Sequence, residues 1–174
     1  MTGVLVKISS VLTKIEEYIM AILMGALTII MITAVIYRYF LKDPITWAGE
    51  VSIFLLIWTS FIGGSWGLKY GTQASVTFLV DAVADDKKRW IRMAQDIIML
   101  LFLGILIAYS VKWMMLPSML IQKSSALQLP MWIPYSAVPV GLLFAFVHIL
   151  THLVTRIMKK EELFLKKPKG GEGK

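Results

Sequence analysis

At 174 residues, 57% of them hydrophobic and only 17% charged, the chain is too apolar for a water-soluble domain, and its charges cluster between long uncharged runs. A net charge of +7 invites a nucleic-acid reading, but the basic residues flank apolar stretches and form no exposed patch with interleaved aromatics, so nucleic acid is excluded and the lipid bilayer is the expected partner. The lack of cysteine removes disulfide frameworks, thiol nucleophiles and thiolate metal sites.

In chain order, Val4, Ile8, Val11, Leu12 and Ile15 recur at helical spacing, with Lys7 and Lys14 on other faces. This predicts a short helix lying on the inner membrane surface before the chain turns into the bilayer; a frayed extension is the alternative. The first long apolar run follows Glu16 and Glu17 and carries no small-residue cleavage pattern, so it reads as a retained helix. As a helix, the stretch from Tyr18 to Tyr37 rises about 30 Å, the thickness of the hydrocarbon layer. The second span reaches Leu68 by recruiting Thr46 and Trp47 at its start. Residues 74–83, with Val76, Leu79, Val80 and Val83 at helical spacing, are too few to cross and predict an interfacial amphipathic helix. Asp85 or Asp86 then caps a helix in which Arg92 and Asp96 pair one turn apart. The third span runs on through Lys112 to about Leu116, obliging that lysine to snorkel or to face a partner. The fourth is entered near Leu129, with Pro134 in its first turn and a kink at Pro139.

The predicted fold is therefore an all-α integral membrane protein of four transmembrane helices, at about 18–37, 47–68, 94–116 and 130–154, in one domain covering 1–160. The lysine- and glycine-bearing tail 161–174 is expected to be disordered. Of the 18 basic residues, only Arg38, Lys42, Lys112 and Lys123 fall on the side opposite the termini, which predicts both termini in the cytoplasm.

The span centres lack Asp, Glu, Lys, Arg and His. A route for an ion or charged solute needs such groups, or broken helices, inside the membrane. A support is thus expected here, and a conduit is not. His148 and His152 share a helix face at a spacing that could bind metal or haem, but they sit near a span end beside Arg156, as ordinary interfacial histidines do. No nucleophile with a base, paired catalytic carboxylates or phosphate-cradling loop is evident, so no catalytic, cofactor or metal residue is assigned and an enzyme is not expected.

Gly63, Gly67 and Gly71 fall on one helix face, where small residues let helices approach closely, more readily within the chain than with a partner. Arg38 and Glu50, at the ends of the first two spans, are read as an ion pair or a docking contact, with Trp47 between them as an aromatic anchor. Trp132 and Tyr135 anchor the outer end of the fourth span, and with Lys112 complete the candidate contacts.

The ordered set Arg38-Tyr39-Phe40, Asp43-Pro44, Trp47 with Glu50, Gly67 to Gly71, Leu79-Val80-Asp81, Ser125-Ala126-Leu127, Leu129-Pro130, Trp132, Tyr135, Pro139 and Gly141 resembles a known family along nearly the whole chain. It is that of the small membrane subunit of tripartite ATP-independent periplasmic (TRAP) transporters, the DctQ-like family. The resemblance implies a non-conducting scaffold in the bacterial inner membrane. Its partners would be a large membrane subunit that moves an organic acid with sodium and a periplasmic substrate-binding protein that captures it. A periplasmic docking rim would come from the loops at 38–50 and 117–132. Two other classes stay open: a membrane anchor of a redox enzyme, resting on His148 and His152 alone, and a small self-sufficient oligomeric carrier.

Overall fold

A computed structural model describes residues 2–70 and 85–158, with the side chains of residues 2 and 85–89 left outside that description. The elements are α1 (Thr2–Ile36), a wider π turn (Tyr37–Leu41), α2 (Ala48–Tyr70), α3 (Asp85–Met114), and then the short α4 (Pro117–Ile121) and α5 (Trp132–Tyr135) before α6 (Ala137–Ile157). Among the described residues four helical stretches are long and apolar enough to cross a membrane: Gly3–Leu41, Ala48–Tyr70, Trp90–Met114 and Trp132–Ile157. Among the described residues the only β pairing is one isolated bridge, Lys123 with Pro130.

The last helix is the centre of the bundle. Of its most apolar window 44% is buried, against 17% for α2, 6% for α3 and none for α1, and it packs on all three. Its meeting with α2 is close because Gly141 has no side chain: a Cβ there would lie 2.7 Å from the Phe61 Cβ and 2.9 Å from the Phe61 carbonyl. On its other flank Ala145 and Ile149 pack with Leu103 of α3, joined by Leu68 of α2.

Three expectations change. The amino-terminal segment is no separate surface helix: α1 is continuous from Thr2 to Ile36, about 52 Å long, well beyond a hydrocarbon layer of about 30 Å. Nothing in residues 2–36 breaks a helix, since prolines are absent and glycines isolated, so propagation continues from the span into the extension. The irregularity expected at Pro139 falls instead at Ser136, between α5 and α6. Proline disturbs the carbonyl four residues before it, here that of Tyr135, while its missing N–H is harmless in a first turn. The third span ends at Met114, and Pro117 opens α4. The predicted interfacial helix at 74–83 and the tail at 161–174 lie outside the described residues.

Candidate functional site

Two polar constructions tie the bundle together, one at each end. The first arises from the α1 extension. Ser9, Thr13 and Glu16 lie at i, i+4 and i+7, on one helix face, and all three are buried. Glu16 is fully buried, and its carboxylate accepts a hydrogen bond from the Ser65 hydroxyl at 2.6 Å and contacts His148 Nε2 at 3.0 Å. His148, equally buried, has its Nδ1 2.6 Å from the Ser9 hydroxyl. With Nε2–H directed at the carboxylate, Nδ1 accepts the Ser9 hydroxyl hydrogen and every group in the chain Ser65–Glu16–His148–Ser9 is satisfied. The Lys69 ammonium donates to the Thr13 hydroxyl and, at 3.4 Å, to the Ser9 carbonyl. His152 Nε2 meets the Lys69 carbonyl at 2.8 Å. Beside this layer Arg156 of α6 donates to Asp96 of α3 at 2.6 Å.

Opposite charges and neutral donors thus close on one another across α1, α2, α3 and α6. A buried ion or polar group is tolerated only with such compensation. His148 and His152 are therefore buried residues serving helix contacts. Asp96 finds its cross-helix partner in Arg156, in addition to lying one turn from Arg92.

At the opposite end Glu50 stands in the first turn of α2. Its carboxylate accepts three backbone N–H groups, from Ser125 at 2.7 Å, Ala126 at 2.9 Å and Leu127 at 3.1 Å. These belong to the tip of a hairpin-like loop closed by Ser124 N–H to Leu129 O at 2.9 Å and Met131 N–H to Gln122 O at 2.9 Å, with Gln128 in the left-handed region at φ 53°. Successive N–H groups converging on one point form an anion-binding concavity, filled here by the chain's own carboxylate. The expected Arg38–Glu50 ion pair is not formed: Arg38 lies exposed in the π turn, and Glu50 is engaged by the loop.

The remaining candidates are dispersed. Trp47 borders an open cleft of about 460 Å³ with Ile29, Ile30, Thr33 and Tyr37. Gly63 faces α1, where a Cβ would meet Met20 Sδ at 3.4 Å, an internal contact; Gly67 is partly buried on the same helix, and Gly71 lies outside the described residues. Lys112 is exposed in the last turn of α3. Tyr135 stacks at a tilt on Trp113, ring centroids 5.1 Å apart, while Trp132 is exposed.

Sequence reasoning assigned Lys69 and Glu16 to membrane flanks and gave Ser9, Thr13 and Ser65 no role. The available signal was the polar stripe at 9, 13 and 16 facing away from the apolar one at 4, 8, 11 and 15. In lipid, the polar side of such a helix belongs inside the bundle.

A bundle of four membrane helices, closed by internal polar ties and bearing an ordered loop at one end, defines a multi-pass membrane protein. A family model described as "Tripartite ATP-independent periplasmic transporters, DctQ component" matches residues 27–159. The chain belongs to that family: it is a small permease subunit of a TRAP transporter, a multi-pass inner-membrane protein and not an enzyme, and the redox-anchor reading is set aside. It is 29% identical over 167 residues to the C4-dicarboxylate TRAP transporter small permease protein DctQ of Vibrio cholerae, covering 82% of this chain and 72% of that one. Over 162 residues it is 24% identical to the ectoine small permease protein TeaB of Halomonas elongata, covering 91% and 82%. The sialic acid small permease protein SiaQ of Vibrio cholerae is 25% identical over 97 residues, covering 56% of each chain.

Proposed function

We propose that this chain is the non-conducting scaffold of a transporter that imports an organic acid by sodium symport, together with a large membrane subunit and a periplasmic substrate-binding protein. Family membership supports the partners and the driving ion. The substrates in the relatives' names, C4-dicarboxylates, sialic acid and ectoine, share a carboxylate, which supports the solute class. The observation that carries the scaffold reading is the distribution of charge: the middle of each span holds no Asp, Glu, Lys or Arg, and the ionisable groups towards one end, His148 among them, are bound by neighbouring side chains of the same bundle. A solute path needs such groups facing a cavity.

In this reading both termini face the cytoplasm, in keeping with the bias of basic residues. The Glu50-held loop then stands on the periplasmic side, where with Arg38, Trp47 and Trp132 it forms a preshaped rim for the loaded binding protein. The large subunit has a part that moves, and this bundle widens the part that does not.

The test is reconstitution in vesicles with an imposed sodium gradient. Uptake of the organic acid is expected with all three components and with none of the single ones. Uptake by this chain alone would assign it the carrier role instead.

A further inference from the structure

The outer face of α1 carries a pattern that the described residues leave uncovered. From Val4 in alternating steps of four and three residues the chain reads Val4, Ile8, Val11, Ile15, Tyr18 and Ile22, and the same steps continue through Gly25 to Ile36. That is a heptad repeat, β-branched at every step but Tyr18 and Gly25 and sustained over more than four heptads, the signature of a seam that packs knobs into the holes of another long helix. The seam is open: Val4 is 63% exposed, Ile8 49%, Val11 50%, Tyr18 73% and Ile22 69%. A Cβ on Gly25 would touch nothing within 4 Å.

Inside the bilayer an apolar stripe is unremarkable, because lipid covers it. Its amino-terminal part is different. Thr13 and Ser9 lie level with Lys69 and His148, in the layer of buried polar groups, and α1 at about 52 Å is longer than the hydrocarbon layer of about 30 Å, so the helix beyond that layer of polar groups reaches past the hydrocarbon. The inner side of that part is pinned by the buried Ser9, Thr13 and Glu16, so it cannot roll over to hide its apolar side. The open groove there, about 760 Å³, is bordered by Val4, Ile8, Val11 and Leu12 with Lys7 at its edge. An apolar surface fixed outside the hydrocarbon calls for a protein cover.

A second copy of this chain fits poorly. Copies sharing one membrane orientation would pair α1 in parallel, layering Tyr18 on Tyr18, overfilled, and Gly25 on Gly25, empty. Such a pair would also set Lys7 and Lys14, both exposed on one flank, against Leu12 and Ile19 of the copy, where no acid waits.

We infer that α1 is the docking seam for one long helix of a different subunit. That helix is apolar at heptad spacing, extends past the bilayer on the amino-terminal side and carries acidic residues beside Lys7 and Lys14. It presents a small residue to Tyr18 and a large one to Gly25. The inference rests on the reading that a large membrane subunit accompanies this chain, and it names the face that meets it.

The experiment is co-purification in mild detergent after co-expression with the large membrane subunit of its transporter. Replacing Val4, Ile8 and Val11 together by serine is expected to lower the yield of complex at least about tenfold, with the melting temperature of the isolated chain unchanged. Lys7→Glu with Lys14→Glu should lower it too, whereas serine at the exposed Ile98 and Leu101 of α3 should not. Full recovery of complex with the triple-serine variant overturns the seam while leaving the larger reading intact. Failure of the unaltered chain to bring down the large subunit overturns both. Since the chain has no cysteine, Ile8→Cys supplies a single thiol, and oxidation to a disulfide-linked pair of this chain would make the occupant a second copy and overturn the inference.

Discussion

The two ends of the bundle are tied by opposite means. At the amino-terminal end, side chains bind side chains: Glu16, His148, Ser9, Ser65 and Lys69 come from three helices and are removed from solvent. At the other end one side chain binds backbone: Glu50 holds the N–H groups of residues 125–127, which belong to a loop outside the helices. The first arrangement fixes how helices stand against each other. The second fixes the shape of a surface without entering the core. The lesson is that a buried acid and a surface acid of the same chain act on different levels, packing in one case and presentation in the other, so their removal should separate stability from recognition.

The largest effect is expected from Glu16→Ala. It leaves His148 and Ser65 without their acceptor and takes from Lys69 one of its two nearby negative charges, a loss of about 3–5 kcal/mol by analogy with broken buried pairs. Thermal melting in detergent measures it. His148→Ala on top of Glu16→Ala should cost clearly less than the two single losses added together, because the partners share one network. Next comes Gly141→Ala, which drives a Cβ into the Phe61 backbone and should cost about 1–3 kcal/mol through forced separation of α2 and α6. Glu50→Gln should barely move the melt, yet amide hydrogen exchange at residues 125–127 should quicken roughly tenfold or more as the loop opens locally. Affinity for the loaded binding protein should fall with it while the membrane complex stays whole. The smallest effect is Gly64→Ala, where a Cβ meets nothing within 4 Å, expected within about 0.5 kcal/mol. Should Glu50→Gln lower the melt as far as Glu16→Ala does, the contrast between the ends disappears.

Much of the fold was legible because hydrocarbon thickness and helical rise leave little freedom: uncharged runs such as Tyr18–Tyr37 and Val51–Leu68 have to be spans. Helix boundaries were less so. The length of α1 depends on the lack of a breaker between residues 2 and 36, and the interruption at Ser136 follows from a steric effect reaching back from Pro139. Of the candidate contacts, Glu50 was singled out as an ion-pair partner of Arg38 or a docking contact, and the ion-pair partner was misplaced. Its true one is backbone, and backbone N–H groups leave no mark in a sequence. Gly63 was read as internal packing and meets Met20. The Glu16 network was missed because residues 9 and 148, or 16 and 65, meet only through the tertiary arrangement, and because a polar face next to a membrane span is easily assigned to water. The heptad stripe on α1 is written in the sequence, but only the structure shows that its side chains stay exposed among the described residues.

The claim on which the rest depends is that the polar layer joins helices and carries nothing through them. The direct measurement is organic-acid uptake per assembled transporter with Glu16→Gln in this chain. Lower thermal stability with unchanged uptake by the complexes that do assemble is the predicted result. A complex as stable as the unaltered one that has lost its uptake would contradict it.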